Sequence, residues 1–303
     1  MSLKIAVTGI SGFVGYHLAN ELKANGAHVI GIDRNKESLD SLGDLVDDRI
    51  VADLADEWPV TEPVDAIINL AGLAAVGPSF EDPQTYININ SAILTNICEY
   101  YLKQTNRPRI LTISSGNVYD SNQPMPISES GKLSYSSPYS VSKILNENQC
   151  KYYKTRGLDC IVARPFNHIG PMQRRGFLVP DLLAQLQDAV TSGSGVVTVG
   201  NLKSKRDYTD VRDVAKAYYA LITADSLSQN TYNICSGQSV AGEELLSMMQ
   251  GIMGTGIEFR IDKSKIRPND PPVIAGDASA IKADTDWQPS IALKQTLQDI
   301  ITA

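Results

Sequence analysis

Tyr139 and Lys143 are four residues apart, and Ser115 precedes the tyrosine by 24 residues. On a helix, positions i and i+4 lie on one face, so Lys143 can approach the Tyr139 ring. A phenol can transfer a proton at a carbonyl, and a nearby ammonium draws the phenol pKa from about 10 towards neutrality. A hydroxyl such as that of Ser115 can hold the carbonyl oxygen. This combination predicts proton transfer at a carbonyl group.

A strand, a glycine turn and a helix follow one another at the start of the chain. Residues 5–7 form a short apolar run, Gly9, Gly12 and Gly15 have the spacing Gly-x-x-Gly-x-x-Gly, and residues 16–22 are typical of a helix. Backbone amides of such a turn, together with the helix N-terminus, can face a pyrophosphate. The residues predicted to contact a dinucleotide here are Gly9, Ser11, Gly12, Phe13, Val14 and Gly15.

The second predicted strand ends at Asp33, at the distance expected for a ribose-binding carboxylate. A carboxylate accepts hydrogen bonds from a free ribose diol but repels a 2′-phosphate, which favours NAD(H) as the cofactor. The neighbouring Arg34 could instead hold a phosphate or stack on adenine, so NADP(H) is not excluded.

Composition narrows the class of protein. The 303 residues carry a net charge of −7, which argues against binding to nucleic acid or to anionic membranes. No run approaches the ~18 apolar residues of a membrane span, and the first residues do not resemble a signal peptide. We expect a cytoplasmic protein with no metal site. Its four cysteines lack metal-ligand spacing and are predicted to be reduced core residues: Cys98, Cys150, Cys160 and Cys235.

Predicted strands and helices alternate along the chain. Strands are predicted near residues 3–8, 28–32, 48–52, 64–70, 108–114 and 158–164, and helices near 12–25, 84–104, 137–156 and 178–190. Such alternation predicts an α/β fold with a doubly wound parallel (Rossmann) sheet, whose ligands lie beyond the carboxyl ends of the strands. Candidate site residues at these ends are Asp33, Asp53, Asn69, Ala71, Ser115 and Pro165.

The pattern changes after the sixth strand, where prolines interrupt a loop. A predicted helix near 211–224 and a strand near 231–235 would return to the first domain. The remaining segments would build a smaller, discontinuous α/β lobe that binds the substrate. The predicted domains are 1–165 plus about 211–235 for the dinucleotide, and about 166–210 plus 236–303 for the substrate lobe.

A series of motifs then identifies a family. They lie, in order, at residues 8–15, 53–54, 69–72, 114–119, 139–143, 164–167, 206–211 and 267–268. Over essentially its full length the chain resembles the extended short-chain dehydrogenases/reductases of the NAD-dependent epimerase/dehydratase type, which act on nucleotide-linked sugars. Within that family, residues 164–171, 176–181 and 232–237 resemble most the GDP-4-keto-6-deoxy-D-mannose reductases.

The resemblance implies roles for these residues. Tyr139 would be the general acid at the C4 oxygen, Lys143 would hold the nicotinamide ribose and lower the tyrosine pKa, and Ser115 would hydrogen-bond the same oxygen, with Ser114 as the alternative. The implied cofactor site extends to Asp53, Leu54, Leu70, Ala71, Gly72 and Pro165. The implied substrate site, in which guanidinium groups suit a diphosphate, comprises Ser115, Asn117, Asn167, Val179, Arg206 and Arg267.

Two residues after the predicted catalytic hydroxyl bear on the reaction. The 4,6-dehydratases of this family have Asp-Glu there, whereas this chain has Gly116 and Asn117, which cannot exchange a proton at neutral pH. Dehydration is therefore not expected. We expect reduction of a nucleotide-linked 4-keto-6-deoxy sugar, and the alternatives are a UDP-hexose type 4-epimerase and a non-catalytic cofactor-binding sensor.

Helices 84–104 and 137–156 carry apolar residues on more than one face, as the family resemblance implies for a two-fold homodimer interface. The residues that suggest this contact are Ile93, Leu94, Ile97, Tyr100 and Tyr101.

Overall fold

The computed structural model describes residues 2–263 and 271–303 of the chain. The strands are β1 (Lys4–Thr8), β2 (His28–Asp33), β3 (Asp48–Val51), β4 (Ala66–Asn69), β5 (Arg109–Ile113), β6 (Cys160–Pro165), β7 (Asn167–Ile169), β8 (Val196–Val199), β9 (Lys205–Asp210), β10 (Thr231–Ile234), β11 (Ser239–Ala241), β12 (Glu258–Ile261) and β13 (Val273–Ile274). The α-helices are α1 (Phe13–Ala24), α2 (Lys36–Asp40), α3 (Pro83–Leu102), α4 (Pro138–Thr155), α5 (Leu178–Ser192), α6 (Val211–Thr223), α7 (Gly242–Met253), α8 (Ser279–Thr285) and α9 (Leu293–Thr302).

Seven parallel strands form the main sheet in the order β10-β6-β5-β4-β1-β2-β3. Both of its faces are buried. Ile5 and Val7 of β1 pack into an apolar cluster with α1 and α6, whereas Ala6, between them, packs into a second cluster with α3 and α4. Alternate residues of a strand point to opposite faces, so a sheet covered on both sides needs this continuous apolar run. The predicted doubly wound sheet is confirmed.

The main sheet recruits a strand from late in the chain. Residues 231–234 form β10, which pairs in parallel with β6, and α6 packs against α1. The helix predicted near 211–224 and the strand predicted near 231–235 therefore do return to the first sheet. Both elements match their predicted positions to within one or two residues.

A smaller group of elements surrounds a separate apolar cluster. β9 pairs with β7, β11 and β13, and β8 pairs with β12. Together with α5, α7 and α9 these strands bury the side chains of Leu182, Leu186, Val197, Leu245, Met249 and Leu297. β7 follows β6 after a single residue, so this lobe starts at the carboxyl end of the main sheet.

The apolar residues of α3 that were expected at a dimer interface lie in the core of the protomer itself. Ile93, Leu94, Ile97 and Tyr101 are at most 4% exposed and pack against the protomer's own sheet, with Tyr100 half-buried beside them. This part of the expectation is wrong, because an apolar helix face does not reveal which partner covers it.

All four cysteines are buried and unpaired, which confirms their prediction as reduced core residues. Among the described residues, no helix has the length and apolar character that a membrane crossing requires.

Candidate active site

The glycine turn allows a close approach of backbones. Gly9 has a φ of +65°, and a Cβ there would lie 2.9 Å from the backbone nitrogen of Ala71. At Gly15 a Cβ would lie 2.2 Å from the carbonyl oxygen of Ile10, so α1 could not pack on the turn. Gly12 is the N-cap of α1 and has no side chain to cap the first amides. A helix N-terminus of this kind suits a pyrophosphate, and the predicted turn therefore fits a dinucleotide.

Asp33 lies beside this turn, at the carboxyl end of β2. Its carboxylate accepts hydrogen bonds from Ser11 Oγ (2.5 Å) and from the Arg34 amide (2.7 Å). Arg34 Nη1 lies 3.9 Å from a carboxylate oxygen of Asp53, and both side chains are largely exposed. The structure thus brings three predicted cofactor residues to one edge. A carboxylate between two hydrogen-bond donors is already oriented for a ribose diol.

Asp33→Ala should narrow the preference for NAD(H) over NADP(H), because it removes the charge that would repel a 2′-phosphate. The measurement is the ratio of dissociation constants for NADH and NADPH, by fluorescence titration of wild type and variant. Asp48→Ala, at an exposed carboxylate of β3, is the matched control and should leave the ratio unchanged. An unchanged ratio in Asp33→Ala would assign the choice to Arg34 or to the glycine turn.

The segment after β4 is fixed by hydrogen bonds. Thr8 Oγ1 donates to Asn69 Oδ1 (2.7 Å) and accepts from the Ala71 amide (3.0 Å). Asn90 Oδ1, from α3, accepts from the Leu73 amide (2.8 Å). A Cβ at Gly72, whose φ is +143°, would lie 2.6 Å from the same Asn90 oxygen. The backbone of the predicted residues 70–72 is therefore held in position next to the glycine turn. The predicted Leu54 is buried in the apolar core.

Tyr139 and Ser115 meet at the start of α4. Ser137 caps this helix by accepting a hydrogen bond from the Ser140 amide (3.1 Å), which places Tyr139 in the first turn. Ser115 follows β5 and caps a short 3-10 turn, Gly116–Val118. Both side chains are buried, at 6% and 8% exposure, and the Ser115 hydroxyl lies near enough to the phenol to lower the pKa of Tyr139. The predicted hydroxyl and phenol can therefore contact one substrate oxygen.

Lys143 lies one turn along the same helix. Its Nζ is 5.8 Å from the centroid of the Tyr139 ring and donates to the carbonyl of Ile113 (2.9 Å). Burial lowers the pKa of Lys143 to about 8, and the nearby Glu147 opposes this shift. The two predicted partners are thus adjacent, with the ammonium directed at the end of β5.

The pKa of Tyr139 corrects one expectation. Burial raises this pKa, and the nearby Ser115 hydroxyl offsets the shift only in part. We expected Lys143 to lower the tyrosine pKa, but burial dominates here because it disfavours the phenolate. A buried phenol of raised pKa keeps its proton near neutral pH, which suits a proton donor.

The structure separates the two candidate serines. Ser114 is 2% exposed and its Oγ donates to Glu147 Oε1 (2.5 Å). Ser115 Oγ, in contrast, accepts from the Asn117 amide (3.1 Å) and lies near enough to Tyr139 to lower its pKa. Ser115 is therefore the hydroxyl positioned beside the phenol.

The predicted substrate residues are placed differently from one another. Asn117 and Asn167 are exposed, and Asn167 lies on β7 just after Pro165, the buried last residue of β6. Arg206 lies on the paired strand β9 and donates to the carbonyl of Pro271 (2.8 Å). Val179 is 1% exposed, so its side chain packs in the core of the lobe. The predicted Arg267 lies outside the described residues.

Two charged residues beside the site escaped the sequence analysis. Glu147 and Arg164 form a buried ion pair, in which Arg164 Nη2 lies 2.6 Å from Glu147 Oε2. Two signals could have found it. Glu147 is four residues after Lys143 and so shares its helix face, and Arg164 is a charge inside the otherwise apolar strand β6, where it needs a partner.

Fold, glycine turn and buried tyrosine–serine pair together define a nicotinamide-dinucleotide enzyme. The chain belongs to the NAD-dependent epimerase/dehydratase family, whose sequence profile matches residues 5–235. The prediction of an NAD(P)-dependent enzyme of the extended short-chain dehydrogenase type is thereby confirmed.

Individual relatives span the whole chain. The GDP-6-deoxy-D-mannose reductase of Pseudomonas aeruginosa is 32% identical over 100% of this chain and 97% of its own. The solved structure of RMD from Pseudomonas aeruginosa complexed with NADPH is 31% identical, with a TM-score of 0.81 and coverage of 99% and 98%. An uncharacterized UDP-glucose epimerase of Bacillus subtilis, YtcB, is 29% identical over 99% of this chain and 97% of its own.

Proposed function

We propose that the protein reduces a nucleotide-linked 4-keto-6-deoxy sugar, specifically GDP-4-keto-6-deoxy-D-mannose, by hydride transfer from NAD(P)H to C4. The observation that carries this proposal is the placement of the buried Tyr139 and Ser115 side chains beside Lys143, just beyond the carboxyl end of β5. A ketone oxygen placed there would have both a proton donor and a second hydrogen-bond donor. The full-length likeness to a GDP-6-deoxy-D-mannose reductase supports the choice of sugar nucleotide.

Each side chain has a defined task in this proposal. Bound NAD(P)H would supply the hydride. Tyr139 gives its proton to the C4 oxygen, and Ser115 holds that oxygen as negative charge develops on it. Lys143 would hold the nicotinamide ribose, and Asp33 the adenosine ribose. The amides of the glycine turn would hold the pyrophosphate.

The smaller lobe is proposed to bind the sugar nucleotide. In this proposal the dinucleotide occupies residues 1–165 with about 211–235, and the remaining residues form the substrate lobe. Asn167 lies on β7, which follows β6 of the main sheet after one residue, and Arg206 lies on β9, which pairs with β7. We assign phosphate contacts to Arg206 and to Arg267, because planar guanidinium groups match paired phosphate oxygens.

A 4-epimerase is the second candidate, favoured by the likeness to YtcB. It would use the same tyrosine, serine and lysine, first to oxidise C4 and then to reduce it from the other face. Dehydration is not proposed, because Ser115 is followed by Gly116 and Asn117, and neither side chain can act as an acid or a base.

A single-turnover measurement tests the proposal. Cofactor-stripped protein is mixed with NADH or NADPH and GDP-4-keto-6-deoxy-D-mannose, and the absorbance of the reduced nicotinamide is followed. Loss of one equivalent of reduced cofactor is the expected result, and the faster trace identifies the cofactor. No loss would contradict the reductase, and interconversion of UDP-hexoses by NAD-loaded protein would then establish the epimerase.

We also propose a homodimer through the outer faces of α3 and α4, as the family resemblance implies. Tyr152, on α4, is 52% exposed and would be covered by the partner. Light scattering at micromolar concentration should give twice the protomer mass, and Tyr152→Glu should shift it towards the protomer mass. Phe259→Glu, on an exposed strand of the lobe, is the matched control and should remain dimeric. A wild-type monomer would contradict this proposal.

A further inference from the structure

The buried Glu147–Arg164 ion pair has an unusually complete geometry. Glu147 is 1% exposed and Arg164 is 4% exposed. Arg164 donates from Nε to Glu147 Oε1 (2.8 Å) and from Nη2 to Oε2 (2.6 Å), so the contact is bidentate. It joins α4 to β6. The pair thus connects the helix that carries Tyr139 and Lys143 with the strand that ends at Pro165.

Two further hydrogen bonds extend from this pair to the segment that carries Ser115. Glu147 Oε1 accepts from Ser114 Oγ (2.5 Å), and Arg164 Nη1 donates to the hydroxyl of Tyr119 (2.7 Å). Ser114 directly precedes Ser115, and Tyr119 lies four residues after it. The ion pair therefore contacts the chain on both sides of the short 3-10 turn that Ser115 caps.

The same pair also fixes the helix of the phenol. Glu147 lies eight residues after Tyr139 on α4, about two turns further along the helix. The Glu147–Arg164 ion pair thus contacts both α4, which carries Tyr139, and the segment that carries Ser115. The Arg164 guanidinium further packs 4.8 Å from the centroid of the Tyr119 ring, which restricts the far end of the turn.

Stability alone gives little reason for such a pair. Apolar side chains of similar volume stabilise a core as well as a buried ion pair or better, because the charges lose their hydration. Catalytic geometry is far more demanding, since a misplacement of about 1 Å can cost ~10²-fold in rate. We propose that Glu147 and Arg164 are positioning residues that hold the Ser115 hydroxyl against the Tyr139 phenol. This inference rests on the proposed function, in which both groups contact the C4 oxygen.

A double-mutant cycle between Ser114 and Ser115 tests it. Glu147→Gln leaves the Arg164 charge buried without its partner and would destabilise the fold. Ser114→Ala removes only the hydrogen bond from Ser114 to Glu147. Ser114→Ala should lower kcat about tenfold, as expected for a displaced hydroxyl, with little change in KM for the cofactor. In a Ser115→Ala background the same substitution should cause no further loss. Effects that multiply, or a Ser114→Ala variant with full kcat, would overturn the proposal.

Thr296→Val is the matched control. Thr296 is also buried and its hydroxyl also donates to a carboxylate, that of Asp210 (2.7 Å), but it lies on α9 in the lobe. Both substitutions should lower the melting temperature by similar amounts, and only Ser114→Ala should lower kcat. An equal loss of kcat in Thr296→Val would mean that general destabilisation explains the effect, which overturns the positioning role.

A crystal structure of the Ser114→Ala variant supplies a readout that needs no substrate. The Ser115 and Tyr139 oxygens should lie farther apart than in a crystal structure of the wild-type protein solved in parallel. An unchanged separation would contradict the proposal even if the wild-type protein were active. Conversely, wild-type protein that does not turn over the keto sugar would refute the proposed function, while this distance would still decide the positioning role.

Discussion

Tyr139→Phe is expected to lower kcat by ~10²-fold or more while leaving the dissociation constant for NAD(P)H nearly unchanged. The substitution removes the phenolic proton but keeps the ring, and the loss of a general acid typically has this magnitude. Tyr139 is buried with Ser115 and Lys143, and in the proposed function its phenol is the proton donor to the C4 oxygen. Steady-state kinetics with the keto sugar nucleotide, together with fluorescence titration of the cofactor, measure both quantities.

Tyr153→Phe is the matched control for this prediction. Tyr153 lies on the same helix and is 4% exposed, and its hydroxyl donates to Glu99 (3.1 Å) on α3, away from the site. Its loss should lower stability slightly and leave kcat unchanged. Full activity in Tyr139→Phe would remove the tyrosine from the mechanism.

Lys143→Met is expected to stabilise the protein by about 3 kcal/mol near pH 7 while it lowers turnover. Burial lowers the pKa of Lys143 from 10.5 to about 8, and each unit of such a shift corresponds to about 1.4 kcal/mol. The protonated amine is thus disfavoured in the folded state relative to the unfolded state. A methionine of similar length carries no such cost, whereas it cannot hold the nicotinamide ribose.

The stability difference between wild type and Lys143→Met should depend on pH. Below about pH 8 the amine is protonated in both states, so the burial cost is fully present. Between pH 8 and 10.5 the unfolded state binds more protons than the folded state, so wild-type stability rises relative to the variant. Urea unfolding at about pH 7 and about pH 10 should show a difference between the two proteins that shrinks with pH. Lys151→Met, at an exposed lysine of the same helix, should show no such pH-dependent difference. A constant difference in Lys143→Met would contradict the buried-charge explanation.

Much of the fold could be predicted because its sequence signals are local. The run Ile5-Ala6-Val7 is apolar at every position, and only a strand covered on both faces buries all three side chains. Gly9 and Gly15 marked places where two backbones approach each other, and the structure puts Ala71 and Ile10 at those places. Asp33 followed from the length of one strand–helix–strand unit.

The remaining features depend on contacts between distant segments. Leu94 and Ile97 are apolar whether they face a partner subunit or the protomer's own sheet, so the pattern could not distinguish the two. The raised pKa of Tyr139 depends on burial by several elements rather than on its spacing from Lys143. Likewise, Ser114 and Ser115 are adjacent in sequence, and only the position of Glu147 shows which hydroxyl is already engaged.

The late return of the chain to its first sheet has a consequence for synthesis on the ribosome. β10 completes the sheet next to β6, and Arg109, at the start of β5, donates to the Ala224 carbonyl just after α6 (2.5 Å). A nascent chain that ends near residue 165 therefore has β6 as an unpaired edge and lacks the helix that covers α1. Such an intermediate exposes apolar surface and an open strand. The main sheet therefore cannot be completed until about seventy further residues, which include β7, β8 and β9 of the smaller lobe, have been synthesised.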